Sequence, residues 1–270
     1  MQWTERSESG VGATILKVDQ LKVEVHGSRQ AAGEAAARSA AESLRRLAGT
    51  HPSFGVIFAT GASQLETLGA LVAIPGLPWE HVVGFHMDEY LGLSASHPAS
   101  FRHYLRAQLT SHAALREFHE IDGSSADAAR VGAEYTELLR AHVPQLCLLG
   151  IGENGHLAFN DPAEADFEDP VDVKVVSLDR TCRQQQVAEG WFGSLEEVPR
   201  QALTLTIPAL MRVPELIVSV PGERKAGIMK RVLEEPLSTA CPATILRTHP
   251  HATVFLDEAS ASELRRPGRA

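Results

Sequence analysis

Cysteine is scarce in this chain of 270 residues: three only, Cys147, Cys182 and Cys241, with no CxxC pair among them. That excludes a disulfide framework and a zinc ribbon, and it suits a reducing cytoplasm. No apolar run approaches the roughly 18 residues that a transmembrane helix needs. The first residues, Met1 to Gly12, lack the apolar core of a signal peptide. Basic residues are also short, 25 against 34 acidic, for a net charge of −9. Such a balance repels a phosphate backbone or an anionic membrane unless basic groups gather locally, so neither nucleic acid nor membrane is an expected partner. Internal repeats, low-complexity blocks and long Pro/Gly/Ser linkers are missing as well.

What remains is an ordinary globular composition, 44% hydrophobic and 22% charged. Residues 1–12 read as a flexible N-terminal tail, and 13–270 as a single α/β domain. Short apolar runs at Val56–Thr60, Val82–Met87, Leu146–Ile151, Leu216–Val220 and Thr253–Leu256 have the character of strands buried on both faces. Helical spacing fills Ser28–Ala48, with Ser28 as cap and Gly49 as stop, and recurs at Ala126–His142 and Arg224–Glu234. Asp161 to Val171, with its prolines, reads as a loop. The alternation predicts an open, mostly parallel sheet with helices on both faces, a three-layer, modified Rossmann-like architecture. Ligands of such sheets bind beyond the carboxyl ends of the strands.

Three segments follow strands in that way. Thr60-Gly61-Ala62-Ser63 opens a helix containing Leu65, Leu68 and Leu71. Its small residues and free N–H groups suit an anion such as phosphate, and equally a tight turn capped by Ser63. Asp88 and Glu89 follow the run Val82–Phe85. Strand alternation turns them to opposite faces, so one at most enters a site, where a carboxylate can act as a general base. The third segment, Gly150-Ile151-Gly152-Glu153-Asn154-Gly155-His156-Leu157-Ala158-Phe159-Asn160-Asp161-Pro162, contains GxGxxG. It is no dinucleotide fingerprint, because Pro162 arrives seven residues after Gly155 and forbids the long helix that a pyrophosphate needs. Instead it offers His156 in a glycine-rich loop beside Asn154 and Asp161, an arrangement suited to proton transfer near neutral pH.

These three segments, TGAS, MDEY and GENGHLAFNDP in that order, resemble the glucosamine-6-phosphate deaminases, which group with the 6-phosphogluconolactonases. The likeness extends over about residues 20–258. It implies an enzyme of amino-sugar metabolism, of the hydrolase class, that opens a 2-amino-sugar 6-phosphate, enolises it and releases ammonium, with no cofactor and no metal. It implies Asp88 as enolisation base and His156 as ring-opening histidine. Asn154 falls where many members carry an aspartate, and Asp161 where they carry a glutamate partnering the histidine. Thr60, Gly61, Ala62 and Ser63 would hold the phosphate with Arg183 and Lys225, and Glu89 and Gly155 would support the site.

It also implies a cytoplasmic protein and a homo-oligomer, trimer or hexamer. Asn154 cannot act as a base, and the shorter Asp161 is expected to need a loop shift or a water to reach His156. Ala62 and Gln64 replace an expected Gly and Pro. A lactonase using His156 to activate water, and a sugar-phosphate sensor without turnover, are the alternatives. His249-Pro250-His251 reads as a turn rather than a metal site, Cys147 as core, Trp191-Phe192 as loop packing, and Arg265, Arg266 and Arg269 as a solvated basic end.

Overall fold

The computed structural model describes residues 2–6 and 13–265. Its strands are β1 (Gln2–Arg6), β2 (Ala13–Val18), β3 (Leu21–His26), β4 (Phe54–Phe58), β5 (Val82–His86), β6 (Asp88–Tyr90), β7 (Glu117–His119), β8 (Pro144–Leu149), β9 (Val173–Ser177), β10 (Gln201–Leu205), β11 (Glu215–Ser219) and β12 (Ala252–Asp257). The helices are α1 (Arg29–Ala48), α2 (Leu65–Ala73), α3 (Phe101–Leu105), α4 (Ala128–Ala141), α5 (Arg180–Ala188), α6 (Ile207–Met211) and α7 (Ala226–Glu234). Nine strands form one sheet in the order β1-β2-β3-β12-β11-β8-β4-β5-β7. From β3 to β7 every neighbouring pair is parallel, and β2 and β1 are added antiparallel at one edge.

The open parallel sheet is as the apolar runs predict, because each of those runs lies in its interior. Alternate residues of one strand feed opposite cores: Leu146 and Leu148 face α1 and α2, whereas Cys147 and Leu149 face the layer of α4 and α7. The alanines of α1, Ala36, Ala37, Ala40 and Ala41 among them, are fully buried, which lets that long helix lie close to the sheet. The Ser28 hydroxyl accepts from Ala31 N at 3.1 Å, as a cap should. Asp127 caps α4 in the same way through Arg130 N.

Two features depart from the expectation. Residues 2–6, assigned to a loose tail, form β1 on the outer edge of β2, whose open backbone groups accept another strand; residues 1 and 7–12 of that tail lie outside the described residues. A second sheet, β6-β10-β9, is wholly antiparallel. The chain leaves the large sheet at His86 and enters the small one at Asp88, with Met87 O accepting from Leu205 N at 2.7 Å across the step. Tyr90, Phe101, Phe159 and Phe192 pack together there, and Trp191 sets its edge against Tyr104, so the Trp-Phe pair is packing. No helix among the described residues is long and apolar enough to cross a membrane.

Strand order reverses between β4 and β8: the chain passes from β4 to β5 on one side, and from β8 to β11 on the other. The loops after β4 and β8 therefore diverge from a common crevice at the carboxyl edge, the place where such sheets bind ligands.

Candidate active site

A cleft of about 410 Å³ occupies that crevice. One wall is the loop after β4. Gly61 has φ +92° and turns the chain into α2. Its carbonyl accepts from the Tyr104 hydroxyl at 3.0 Å, which fixes the turn from outside. Thr60 to Ser63 all line the cleft, with the first turn of α2 behind them. Gly150, on the loop after β8, is what lets the two walls meet, since a Cβ there would lie 2.8 Å from Ser63 Oγ.

The second wall is the glycine-rich loop. A Cβ on Gly152 would fall 2.2 Å from two atoms of the His156 ring, so only glycine leaves room for the imidazole. Gly155 is a conformational residue: φ is +89°, and its side faces Cys241 rather than the cleft. His156 Nδ1 lies 2.9 Å from Asp161 Oδ1, in a bent contact. The shorter aspartate thus reaches the histidine directly, without the loop shift or water that its length led us to expect. Asn154 ties the loop together: its amide nitrogen donates to Asp161 Oδ1 at 2.9 Å and Asp179 Oδ2 at 3.3 Å, and its oxygen accepts from His156 N at 3.1 Å. Burial acts to raise the pKa of Asp161, but contact with His156 and the Asn154 amide outweigh it and hold the carboxyl below its usual value.

Asp88 and Glu89 divide as strand alternation requires. Asp88 lines the cleft, and its Oδ1 is buried with no hydrogen-bond partner among the described residues. Burial, and secondarily the charge of Glu89, push its pKa well above the usual carboxylate range. Glu89 is fully buried on the opposite side. It accepts from the backbone N–H groups of Tyr90, Phe101 and Arg102, from Ser100 Oγ at 2.7 Å and from Arg102 Nε at 3.3 Å. Glu89 therefore anchors the start of α3 and does not enter the cleft. β10 locks the Asp88 and His156 segments together: Thr204 pairs with Asp88 across the small sheet, and its hydroxyl accepts from Phe159 N at 3.0 Å.

The basic groups differ most from expectation. Lys225 is where it should be, buried in the cleft wall with Nζ donating to Ile151 O at 2.7 Å. Burial lowers its pKa, opposed by the charges of Glu189 and Glu153. Arg183 is not in the cleft. It sits on α5 with its guanidinium turned to Leu195 O, because the cleft side of that helix carries Gln185, Gln186 and Glu189 instead. The cations the cleft holds besides Lys225 are Arg29 and Arg224. Arg29, at the start of α1, pairs with Glu66 and donates to Ala62 O of the anion loop. Sequence reading missed Arg29 because β3 alternates polar and apolar residues and does not read as a buried run. The same rule, look just past the strand, would have found it. It missed Gln186 and Glu189 because β9, which precedes α5, is short and half exposed.

Cys182 Sγ clusters with a ring nitrogen of His156 and the Asp161 carboxylate within 4.8 Å, a donor set able to take a metal ion. Burial and then the nearby carboxylates hold its thiol well above the usual pKa, so it enters neutral chemistry as S–H. His249 bonds Val213 O at 2.9 Å through Nε2 and accepts from His251 N through Nδ1, which makes that pair a turn. Cys147 is core. Arg265 is exposed, while Arg266 and Arg269 lie outside the described residues.

A buried carboxyl, a histidine beside a second carboxylate and the Thr60–Ser63 turn thus share one cleft at a topological switch point. The model of the family described as glucosamine-6-phosphate isomerases/6-phosphogluconolactonase matches residues 27–255. A glucosamine-6-phosphate deaminase of an Exiguobacterium species is 34% identical over 217 residues, 80% of this chain and 83% of that protein. One from Listeria monocytogenes is 35% identical over 206 residues, 76% of this chain and 86% of that one. Among solved structures, a monomeric glucosamine-6-phosphate deaminase matches with a TM-score of 0.82 at 26% identity, over 89% of this chain and 99% of its own. A 6-phosphogluconolactonase from Trypanosoma brucei shares the fold, with a TM-score of 0.75 at 20% identity over 93% of this chain and all of its own. Three motifs in order, the cleft they build and a match spanning most of the chain place it in the family of glucosamine-6-phosphate isomerases and 6-phosphogluconolactonases.

Proposed function

We propose that this chain is a glucosamine-6-phosphate deaminase, converting glucosamine 6-phosphate and water to fructose 6-phosphate and ammonium. The observation that carries the reading is the Asp88 carboxylate: buried, with Oδ1 unpartnered among the described residues, and held protonatable in the same cleft as His156. An acyl-transfer hydrolysis has no use for a second, isolated base, whereas enolisation requires one. His156, backed by Asp161, moves the proton between the anomeric hydroxyl and the ring oxygen and so opens the sugar. Asp88 then takes the proton from C2 and returns it to C1, leaving an iminium at C2. Water adds there and ammonium departs, so carbon oxidation states exchange within the substrate and no redox partner is called for. Asn154 positions both the histidine and its carboxylate. Thr60, Ser63 and the free N–H groups of their loop, with Lys225, Arg29 and Arg224, supply the charge and donors that a 6-phosphate needs in an acidic protein.

The assay is ammonium and fructose 6-phosphate measured together from glucosamine 6-phosphate. Equal release is expected, reduced by about 10²–10⁴-fold in Asp88→Asn, the range for loss of a general base. No ammonium but hydrolysis of 6-phosphogluconolactone would replace the reading with the lactonase; neither activity would leave a binding protein. A cytoplasmic location agrees with three free, buried cysteines. The family resemblance implies a trimer or hexamer, and light scattering on the purified chain decides between that and the monomer of the matching deaminase.

A further inference from the structure

We propose that Glu117, His119 and His142 form a binding site for a divalent ion of the zinc class at the edge of the large sheet, separate from the cleft. Glu117 and His119 are two apart on β7, the last strand of the sheet, so their side chains leave the same face. His142 is the C-cap of α4 and arrives from another part of the chain. One donor atom from each of the three lies within 4.8 Å of the others. His119 Nε2 and Glu117 Oε2 are 3.3 Å apart, the spacing of about 3.3–3.5 Å that two ligands take around tetrahedral zinc with bonds near 2.0–2.1 Å. The imidazoles of His119 and His142 converge with ring centroids 5.5 Å apart.

His119 Nε2 is buried, yet no hydrogen bond of good geometry uses it among the described residues. The ion pair with Glu117 brings that nitrogen to 3.3 Å from Oε2 without a well-formed hydrogen bond, and a ligand role satisfies both atoms. The backbone is fixed in advance. Tyr135 Oη lies 3.2 Å from His119 O, His142 N donates to Leu138 O at 3.0 Å, and a Cβ on Gly55 of β4 would stand 2.2 Å from His142 O. Two of the three ligands therefore sit on held backbone, which is what a metal site needs if binding is not to be spent on ordering it. An ion there would tie the exposed edge strand to the end of α4.

Zinc binding to the full chain is measured by titration calorimetry after chelator treatment, with cobalt as a spectroscopic stand-in. The active-site cluster of His156, Asp161 and Cys182 is the competing location, and Cys182→Ser removes its sulfur. One zinc per chain is expected, weakened at least tenfold in His142→Ala and in Glu117→Gln and unchanged in Cys182→Ser. The cobalt form should show no thiolate charge-transfer band. Zinc should also raise the wild-type Tm by several degrees, and that rise should vanish in His142→Ala. Glu117 is half exposed, so Glu117→Gln keeps the test sound if the histidine variant folds poorly. No zinc uptake by the wild type, binding lost in Cys182→Ser, or binding untouched in both edge variants would each overturn the site.

Discussion

Neighbouring side chains of a strand point to opposite faces, and β6 uses that to separate two adjacent carboxylates. Glu89 collects five donors and organises α3, while one oxygen of Asp88 has no partner among the described residues. The unpartnered state has a stability consequence. A carboxyl whose folded pKa is raised contributes stability below its unfolded pKa of about 3.9, and that contribution is lost as pH rises through the folded value. At neutral pH the Asp88 carboxylate is therefore a cost to the fold. Asp88→Asn should melt at a higher temperature than the wild type at pH 7–8, with the difference closing toward pH 4, although its turnover is far lower. A lower Tm for the variant at pH 7–8 would contradict the burial argument. In the wild type, kcat/KM should fall as acid protonates Asp88, with a midpoint above the ordinary carboxylate range.

At the scale of elements, the anion loop is only as well placed as α2, and α2 is set by its contact with α1. Gly33 makes the contact possible: a Cβ there would lie 2.4 Å from Glu66 Cβ and 3.0 Å from Glu66 C. Backbone cannot yield as a flexible side-chain end does, so Gly33→Ala must push the helices apart. Overpacking of this kind costs about 1–3 kcal/mol, which corresponds to a Tm loss of roughly 2–4 °C per kcal/mol in a chain of this size class. Because α2 carries Thr60 to Ser63 at its start, KM for the sugar phosphate should rise more than kcat falls. Steady-state kinetics on the variant checks this; an unchanged KM would mean the loop is held by Tyr104 and Arg29 alone.

For the whole molecule, the cleft is assembled from both sheets. The anion loop and Lys225 belong to the large one, Asp88 to the small one, and the His156 loop spans them through Phe159 and Thr204. A ligand that touches all of them should stabilise them as a unit. An open-chain hexitol 6-phosphate at 100 times its Kd should add about 2.7 kcal/mol. It should also slow amide exchange at residues 60–63, 150–160 and 222–225 together. Protection confined to 60–63 would mean that the small sheet takes no part in binding.

The sequence by itself determined the parallel sheet, because strands buried on both faces must be continuous apolar runs, and the runs are visible without coordinates. It also marked Asp88, His156, Asn154, Asp161, Lys225 and the Thr60–Ser63 loop, since each follows such a run or belongs to an ordered motif. Tertiary structure alone decided the second sheet, whose strands are only three to five residues long and carry little periodic signal. It also decided which face of α5 meets the cleft. Arg183 and Gln186 are three residues apart, and only the seating of that helix tells which of them looks inward. The direct contact between Asp161 and His156 was likewise unreadable, because side-chain length says nothing about how tightly a loop curls. Gly152, which yields its side chain's space to the imidazole, is what lets it curl so far.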